Sequence, residues 1–255
     1  MRSFRAYFKK EFKEAARNYK YLILAVGFIF WALLDPLMLK LLPLILKASM
    51  PVELLSQFTS INRDYAFLNL LKDLFQVGTL FFVFSLMGII SSEVSKKKLV
   101  LPYSRGLKPE GMVLAKYIHY AITVSIFIFA AFLTNYFYVK SLFNSGVLSI
   151  QIVLWSCFLY ILYFAVILAL LLYMSSLFKK SIIPGLLVLA IVYGFNFFNQ
   201  LSLIRNYLPN YLILRAADLG VFFDTSLIPT FFISVFLIAI FIFLTIIRMK
   251  KIDVA

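Results

Sequence analysis

Six apolar runs, at 21–39, 74–91, 117–139, 150–172, 182–198 and 227–247, divide this chain, each 17 to 23 residues long. An α-helix rises 1.5 Å per residue and a bilayer core is about 30 Å thick, so runs of this length are sized to cross a membrane. Composition agrees, with 63% hydrophobic and 14% charged residues, against roughly 45–50% and about 25% in ordinary soluble domains. The expectation is an all-α integral membrane protein of six transmembrane helices. Residues 1–255 form one domain, because no segment between the runs is long enough for a separate catalytic unit.

A net charge of +14 raises the question of nucleic acid, but the basic residues lie in short stretches between apolar runs, the pattern of membrane topology. No DNA or RNA partner is expected. Segments 1–20, 92–116, 173–181 and 248–255 hold 18 of the 25 Lys and Arg in 62 residues, and the alternate segments hold 7 in 72. Positive charge stays inside, so both termini are expected in the cytoplasm and the chain in the cell membrane. The first run is followed by Asp35, Pro36 and Lys40 rather than a small-residue cleavage site, so it reads as a retained span.

On a helical wheel, residues 1–20 place Phe4, Tyr7, Phe8, Phe12, Ala15 and Tyr19 on one side and Lys9, Lys10, Lys13 and Arg17 on the other. That pattern predicts an interfacial helix on the inner leaflet, in contact with membrane lipid; a plain topology anchor is the alternative. Segment 40–73 mixes Pro43, Pro51 and Asp64 with short apolar pieces such as 66–71 and reads as an outer, interface-dipping connection. Segment 92–116 reads as a short cytoplasmic helix followed by turns at 104–106 and 108–111. Segment 199–226, with Pro209 and Gly220, fits a re-entrant or interface-lying hairpin.

Catalytic signatures are missing. A single histidine, His119, cannot build a two-histidine zinc site, there is no nucleotide-cradling glycine loop, and lone Cys157 has no disulfide partner. Neither a nucleophile elbow nor a pair of intramembrane aspartates is evident in the runs. Four residues are candidates for a substrate path: Asp35 in the outer half of the first run, and Asn196, Asn199 and Gln200 at the end of the fifth. Each has a plainer alternative, Asp35-Pro36 as a water-exposed helix terminator and the three amides as an outer cap. His119 reads as an interface residue.

The order of these segments resembles the permease subunits of ABC transporters of the ABC-2 type. FKKEFKEAARNYKYLILAVGFIFWALLDP is similar to that family's basic entry helix and first span, and IISSEVSKKKLVLPYSRGLKPEGMVLAKYI is similar to its coupling stretch. By that resemblance Glu93, Tyr103, Ser104, Arg105 and Lys116 take family positions. Lys97 and Lys98 stand where the family usually has Gly-Thr, which implies a more basic docking surface. MSSLFKKS at 174–181 and the terminal RMKKIDVA resemble the turn after the fourth span and the family tail.

The resemblance implies a six-span exporter subunit that moves a drug, lipid or membrane-active peptide and makes no catalytic contribution of its own. ATP and magnesium would be bound by a partner, two cytoplasmic ABC ATPase subunits, and a second permease chain would complete the pathway as a homodimer. The coupling residues would be Glu93, Lys97, Lys98, Tyr103, Ser104 and Arg105, beside the entry-helix residues Phe4, Phe8, Phe12 and Arg17. An ATP-independent carrier, or an immunity or scaffold protein of the membrane, remains the alternative reading of the same residues.

Overall fold

The computed structural model describes residues 2–46, 62–198, 202–219 and 224–251, and among these every regular element is helical. Five stretches are long and apolar enough to cross a membrane: Lys20–Pro43, Arg63–Ser95, Pro109–Leu142, Ile150–Leu177 and Leu227–Lys250. The sixth expected span is a shorter helix, Ile182–Phe198, of 17 residues, about 25 Å long and so less than a full bilayer core.

In chain order, α1 is Arg2–Arg17, α2 Lys20–Ala25 and α3 Trp31–Leu46, the last two joined by a π-helical turn at Val26–Phe30. Helices α4 (Arg63–Asp73) and α5 (Thr79–Leu86) are likewise joined by a π turn, Leu74–Gly78. Two short helices follow, α6 (Ser91–Ser95) and α7 (Val100–Ser104), then the long α8 (Pro109–Leu142) and α9 (Ile150–Leu177). The rest is α10 (Ile182–Phe198), α11 (Ser202–Arg205), α12 (Asn210–Ala216) and α13 (Leu227–Lys250). Helix α9 is the central staff, with 67% of its apolar window buried, whereas α13 buries only 17% and turns most of its surface outward.

The centre is aromatic. Phe164 of α9 meets Phe28 and Phe82 edge-on at 5.1 and 5.3 Å, an arrangement that aligns ring edges with ring faces. The two π turns cross at close range, and glycine makes this possible: a Cβ on Gly27 would fall 2.5 Å from the Cβ of Phe81. Gly146, at φ 122, lets the 143–149 connection lie against α4, where a Cβ would come within 2.9 Å of Arg63. Arg63 clasps that connection by donating from Nε to the Phe143 carbonyl at 2.7 Å.

Apolar surroundings do not hydrogen-bond to backbone, so each irregularity needs a side-chain partner. Pro36 has no N–H for the Ala32 carbonyl, and Asn135 of α8 donates to that carbonyl at 3.1 Å. The Tyr160 hydroxyl donates to Leu71 at 2.7 Å, just before the second π turn, and Tyr193 donates to Gln76 inside it. Ser156 donates to Ala216 at 2.8 Å and so pins α12 to α9.

Three expectations are corrected. The Asp35-Pro36 pair does not end a helix in water: α3 runs on to Leu46 and Asp35 is 5% exposed, because Asn135 repairs the break. Residues 66–71, read as part of a connection, belong to α4, capped by Asn62 and burying Ala66, Phe67, Leu70 and Leu71. The helix that carries the third run opens at Pro109 rather than 117, since residues 109–116 already bury Met112, Val113 and Ala115.

Asn135→Ala is therefore expected to lower thermal stability in detergent by about 1–3 kcal/mol, the cost of an unsatisfied buried carbonyl. Adding Pro36→Ala returns an N–H to α3, and the penalty of Asn135→Ala should shrink in that background. Equal penalties in both backgrounds would contradict the role given to Asn135.

Candidate functional site

The densest cluster of charge lies where α1, α6 and the start of α8 converge. Along α1, Tyr7, Glu11 and Ala15 recur every four residues and form one face, which packs on α8. The chain then reverses through Tyr19 in the left-handed region, φ 55, and enters α2. Across the interface Lys116 of α8 is 1% exposed. Its ammonium lies 2.6 Å from Glu11 and 3.1 Å from Glu93 of α6.

Lys10 reaches Glu93 from the other side and also lies 3.5 Å from Glu14. Lys98, in the turn between α6 and α7, bonds Glu14 at 3.2 Å. Three carboxylates thus meet three ammonium groups across α1, α6 and α8. An isolated charge at such burial would be very costly, whereas mutual pairing and hydrogen bonding offset much of the desolvation. Tyr7 supplies a ring face to Lys10 at 4.6 Å and to Lys116 at 5.8 Å.

The electrostatic consequences are visible outside the spans. Burial and then the Glu93 and Glu11 charges drive the Tyr7 hydroxyl far above its usual value. Burial alone would raise the Glu14 carboxyl, but Lys10 and Lys98 together outweigh it and hold Glu14 below its usual value. Burial and Glu93 push Tyr103 up to about 12, so its hydroxyl stays a proton donor, and it donates to the Met249 carbonyl at 3.4 Å. Glu11, Glu14 and Glu93 have oxygens within 4.8 Å of one another, a spacing that would also suit a metal ion. Lys116 and Lys10 already supply the positive charge there, so the set fits ammonium rather than a cation from solution.

The break between α5 and α6 is held by Ser175 of α9, whose hydroxyl accepts from the Ile90 and Ser91 amides at 3.1 and 3.0 Å. The small-residue turn at 174–181 thus has a physical purpose: Ser175 reaches backbone there, and Ser181 hydrogen-bonds Ser91 at 3.2 Å. At the far end of the chain, Lys250 pairs with Glu110 at 2.6 Å and joins the end of α13 to the start of α8.

The residues singled out in the sequence take different places. Glu93 is buried at the centre of the cluster, while Lys97, Lys98, Ser104 and Arg105 are exposed beside Val100 and Leu101. Tyr103 is a tie to α13 rather than a surface group. Phe4 and Phe8 are half-buried and Phe8 stacks edge-on to His119 at 5.4 Å, so His119 is part of a packed aromatic nest with Tyr21 and Tyr120. Phe12 is 58% exposed and Arg17 is exposed as well. The wheel is corrected accordingly: the buried stripe centres on Glu11, because a buried lysine across the interface makes that position the polar heart of the contact. Asn196 accepts from Asn210 at 3.2 Å near the start of α12, apart from Asp35, which faces α4. Asn199 and Gln200 lie outside the described residues.

Glu11 and Lys10 are the residues of the cluster that the sequence did not reveal. The available signal is a glutamate at the centre of an otherwise apolar i, i+4 stripe, which demands a buried cation elsewhere in the chain. No protein-family model, curated protein or solved structure matches the chain.

Lys116→Met is expected to destabilise the protein by about 3–5 kcal/mol, since Glu11 and Glu93 lose their shared counter-charge in a buried setting. Combining it with Glu11→Gln and Glu93→Gln should recover much of that loss, as read by thermal unfolding. A second expectation concerns pH. The ionised form of Glu14 is favoured in the fold, so its contribution is complete above the ordinary carboxylate value of about 4.3 and is lost as pH falls through and below it. The stability gap between the wild type and Glu14→Gln should be present at neutral pH and close on acidification; a gap independent of pH would count against the Lys10 and Lys98 pairing.

Proposed function

We propose that the chain is the membrane-spanning permease subunit of an ABC exporter of the ABC-2 type, driven by a separate cytoplasmic ATPase pair and working beside a second permease chain. The observation that carries this reading is the cross-tied block of α1, α6, α7, the start of α8 and the end of α13, with one exposed tip. An ATPase can move a membrane bundle only through a rigid contact, because a flexible protrusion would bend instead of transmitting motion. Here the protrusion is anchored by a buried ion cluster, and its tip presents Lys97, Lys98, Val100, Leu101, Ser104 and Arg105 to a partner.

Other features support the same reading. The basic segments gather at this end, which the positive-inside rule assigns to the cytoplasm. Lys97 adopts φ 52, the left-handed conformation that glycine takes without strain, and it stands where the resembling family usually has glycine. Glu93 serves as the anchor of the tip, and Lys97, Lys98 and Arg105 as its contact surface. An apolar crevice of about 320 Å³ between α9, α12 and α13, lined by Trp155, Phe158, Leu212, Phe231 and Phe232, suits an amphipathic or hydrophobic cargo.

The test is to purify the tagged protein in mild detergent with whatever accompanies it and to assay ATP hydrolysis. A stoichiometric ATPase is expected, and Arg105→Glu should weaken its attachment about tenfold, roughly the effect of one reversed interface charge. Recovery of the chain without an ATPase, from cells that express its chromosomal neighbours, would overturn the proposal in favour of an ATP-independent membrane protein.

A further inference from the structure

Where the contact between α1 and α8 begins, the first turns of the two helices enclose an open crevice of about 510 Å³. Ser3, Phe4 and Arg5 form one wall, and Lys108, Gly111 and Leu114 the other. The helices meet closely there. A Cβ on Gly111 would fall 3.0 Å from the Cβ of Ser3, and the Lys108 amide donates to the Ser3 hydroxyl at 3.4 Å.

The charge of the crevice is one-sided. Arg5 and Lys108 are exposed, and neither pairs with a carboxylate among the described residues. Glu110, the acid on the rim, is taken by Lys250 at 2.6 Å. Along α1 the exposed arc that holds Arg5 continues through Lys9, Lys13 and Arg17, while Glu11 and Glu14 are turned to the ion cluster. Two cations without a carboxylate, beside an acid already neutralised, leave the crevice positive and attract an anion.

Its floor continues along an apolar track. From Leu114 the exposed face of α8 passes through Ile118, Ile122, Ile126 and Phe129, each three or four residues after the last. At 1.5 Å per residue this track is about 22 Å long, more than half of a bilayer core of about 30 Å. A water-soluble phosphate would leave the track unused, whereas a molecule with a negative headgroup and an acyl chain engages both parts.

We propose that the crevice between the first turns of α1 and α8 binds an anionic phospholipid of the adjacent leaflet, its phosphate held by Arg5 and Lys108 and one acyl chain lying along the α8 track. Tyr7 and Ala15 are buried and Phe4 and Phe8 half-buried, so most of the apolar face of α1 is spent on protein, and the helix engages the leaflet by charge. A lipid seated there joins α1 to α8 from outside, as Lys116 joins them from within.

Native mass spectrometry of the full chain, released from neutral detergent with added dioleoylphosphatidylglycerol or dioleoylphosphatidylcholine, tests this. The wild type should bind its first phosphatidylglycerol about tenfold more tightly than phosphatidylcholine, in line with the attraction of one or two basic residues at a membrane surface. Arg5→Ala combined with Lys108→Ala should abolish that preference. Lys9→Ala combined with Lys13→Ala removes the same charge from outside the crevice and should keep most of it. Equal affinity of the wild type for the two lipids overturns the proposal, and so does an equal loss in the two double variants, which would assign the preference to diffuse charge. Displacement of the lipid by millimolar glycerophosphate also overturns it, by assigning the crevice to a soluble anion. Should the Arg5 and Lys108 variant fail to fold, photoactivatable phosphatidylglycerol on the wild type decides: the labelled peptides should include residues 3–5 or 108–114, and labelling confined to other segments overturns the proposal.

Discussion

A single buried ammonium group organises one end of this molecule. Lys116 has three N–H donors and almost no water, and it is the point at which α1 and α6 are held to α8. Three carboxylates and three lysines then settle into a nearly balanced set, so the desolvation each would suffer alone is offset by its neighbours. Apolar packing alone would let α1 slide along α8, since apolar contact is non-directional. The charge pairs fix its register, because each has one geometry in which its partners meet.

Elsewhere the same requirement acts on the backbone. Surrounded by hydrocarbon, a helix that contains a proline, a π turn or a break exposes carbonyl groups that lipid does not satisfy. Asn135, Tyr160, Tyr193, Ser175 and Ser156 each stand opposite such a place. Their roles explain why the apolar runs contain these scattered polar residues: they are spent on backbone. Irregularity is thus retained where glycine crossings bring the rods close, and it is made affordable by a neighbour's side chain.

Much of the fold was legible in the sequence because apolar run length has one physical meaning in a bilayer. The helical class and the positions of five spans follow from it, as do the small serines after α9. What was not legible depends on partners distant in the chain. The wheel for α1 sorted residues by polarity, and Glu11 is buried for a reason located 105 residues away, at Lys116. Asp35-Pro36 looked like a terminator since its rescuer, Asn135, lies on another helix. Segment 63–73 looked like a loop because Asp64, Lys72 and Asp73 interrupt its hydropathy, although Phe67 packs edge-on to Phe132 and Leu70 and Leu71 are buried. Exposure of the tip residues 97, 98, 104 and 105 could be read from charge alone, whereas the burial of Glu93 could not.

The charge cluster is joined to the middle of the bundle by the first helical rod. At the basic end carboxylates are neutralised by lysines. Helix α2 begins two residues after α1, directly behind the left-handed Tyr19, and the rod it starts passes α5 at Gly27 and continues as α3 to Asp35, about 22 Å along at 1.5 Å per residue from Lys20. Both helical rods carry a π turn at that crossing, one of the few features that lets a long helix change direction. The ion pairs thus fix the rod at its basic end, and the close glycine crossing fixes it again further along.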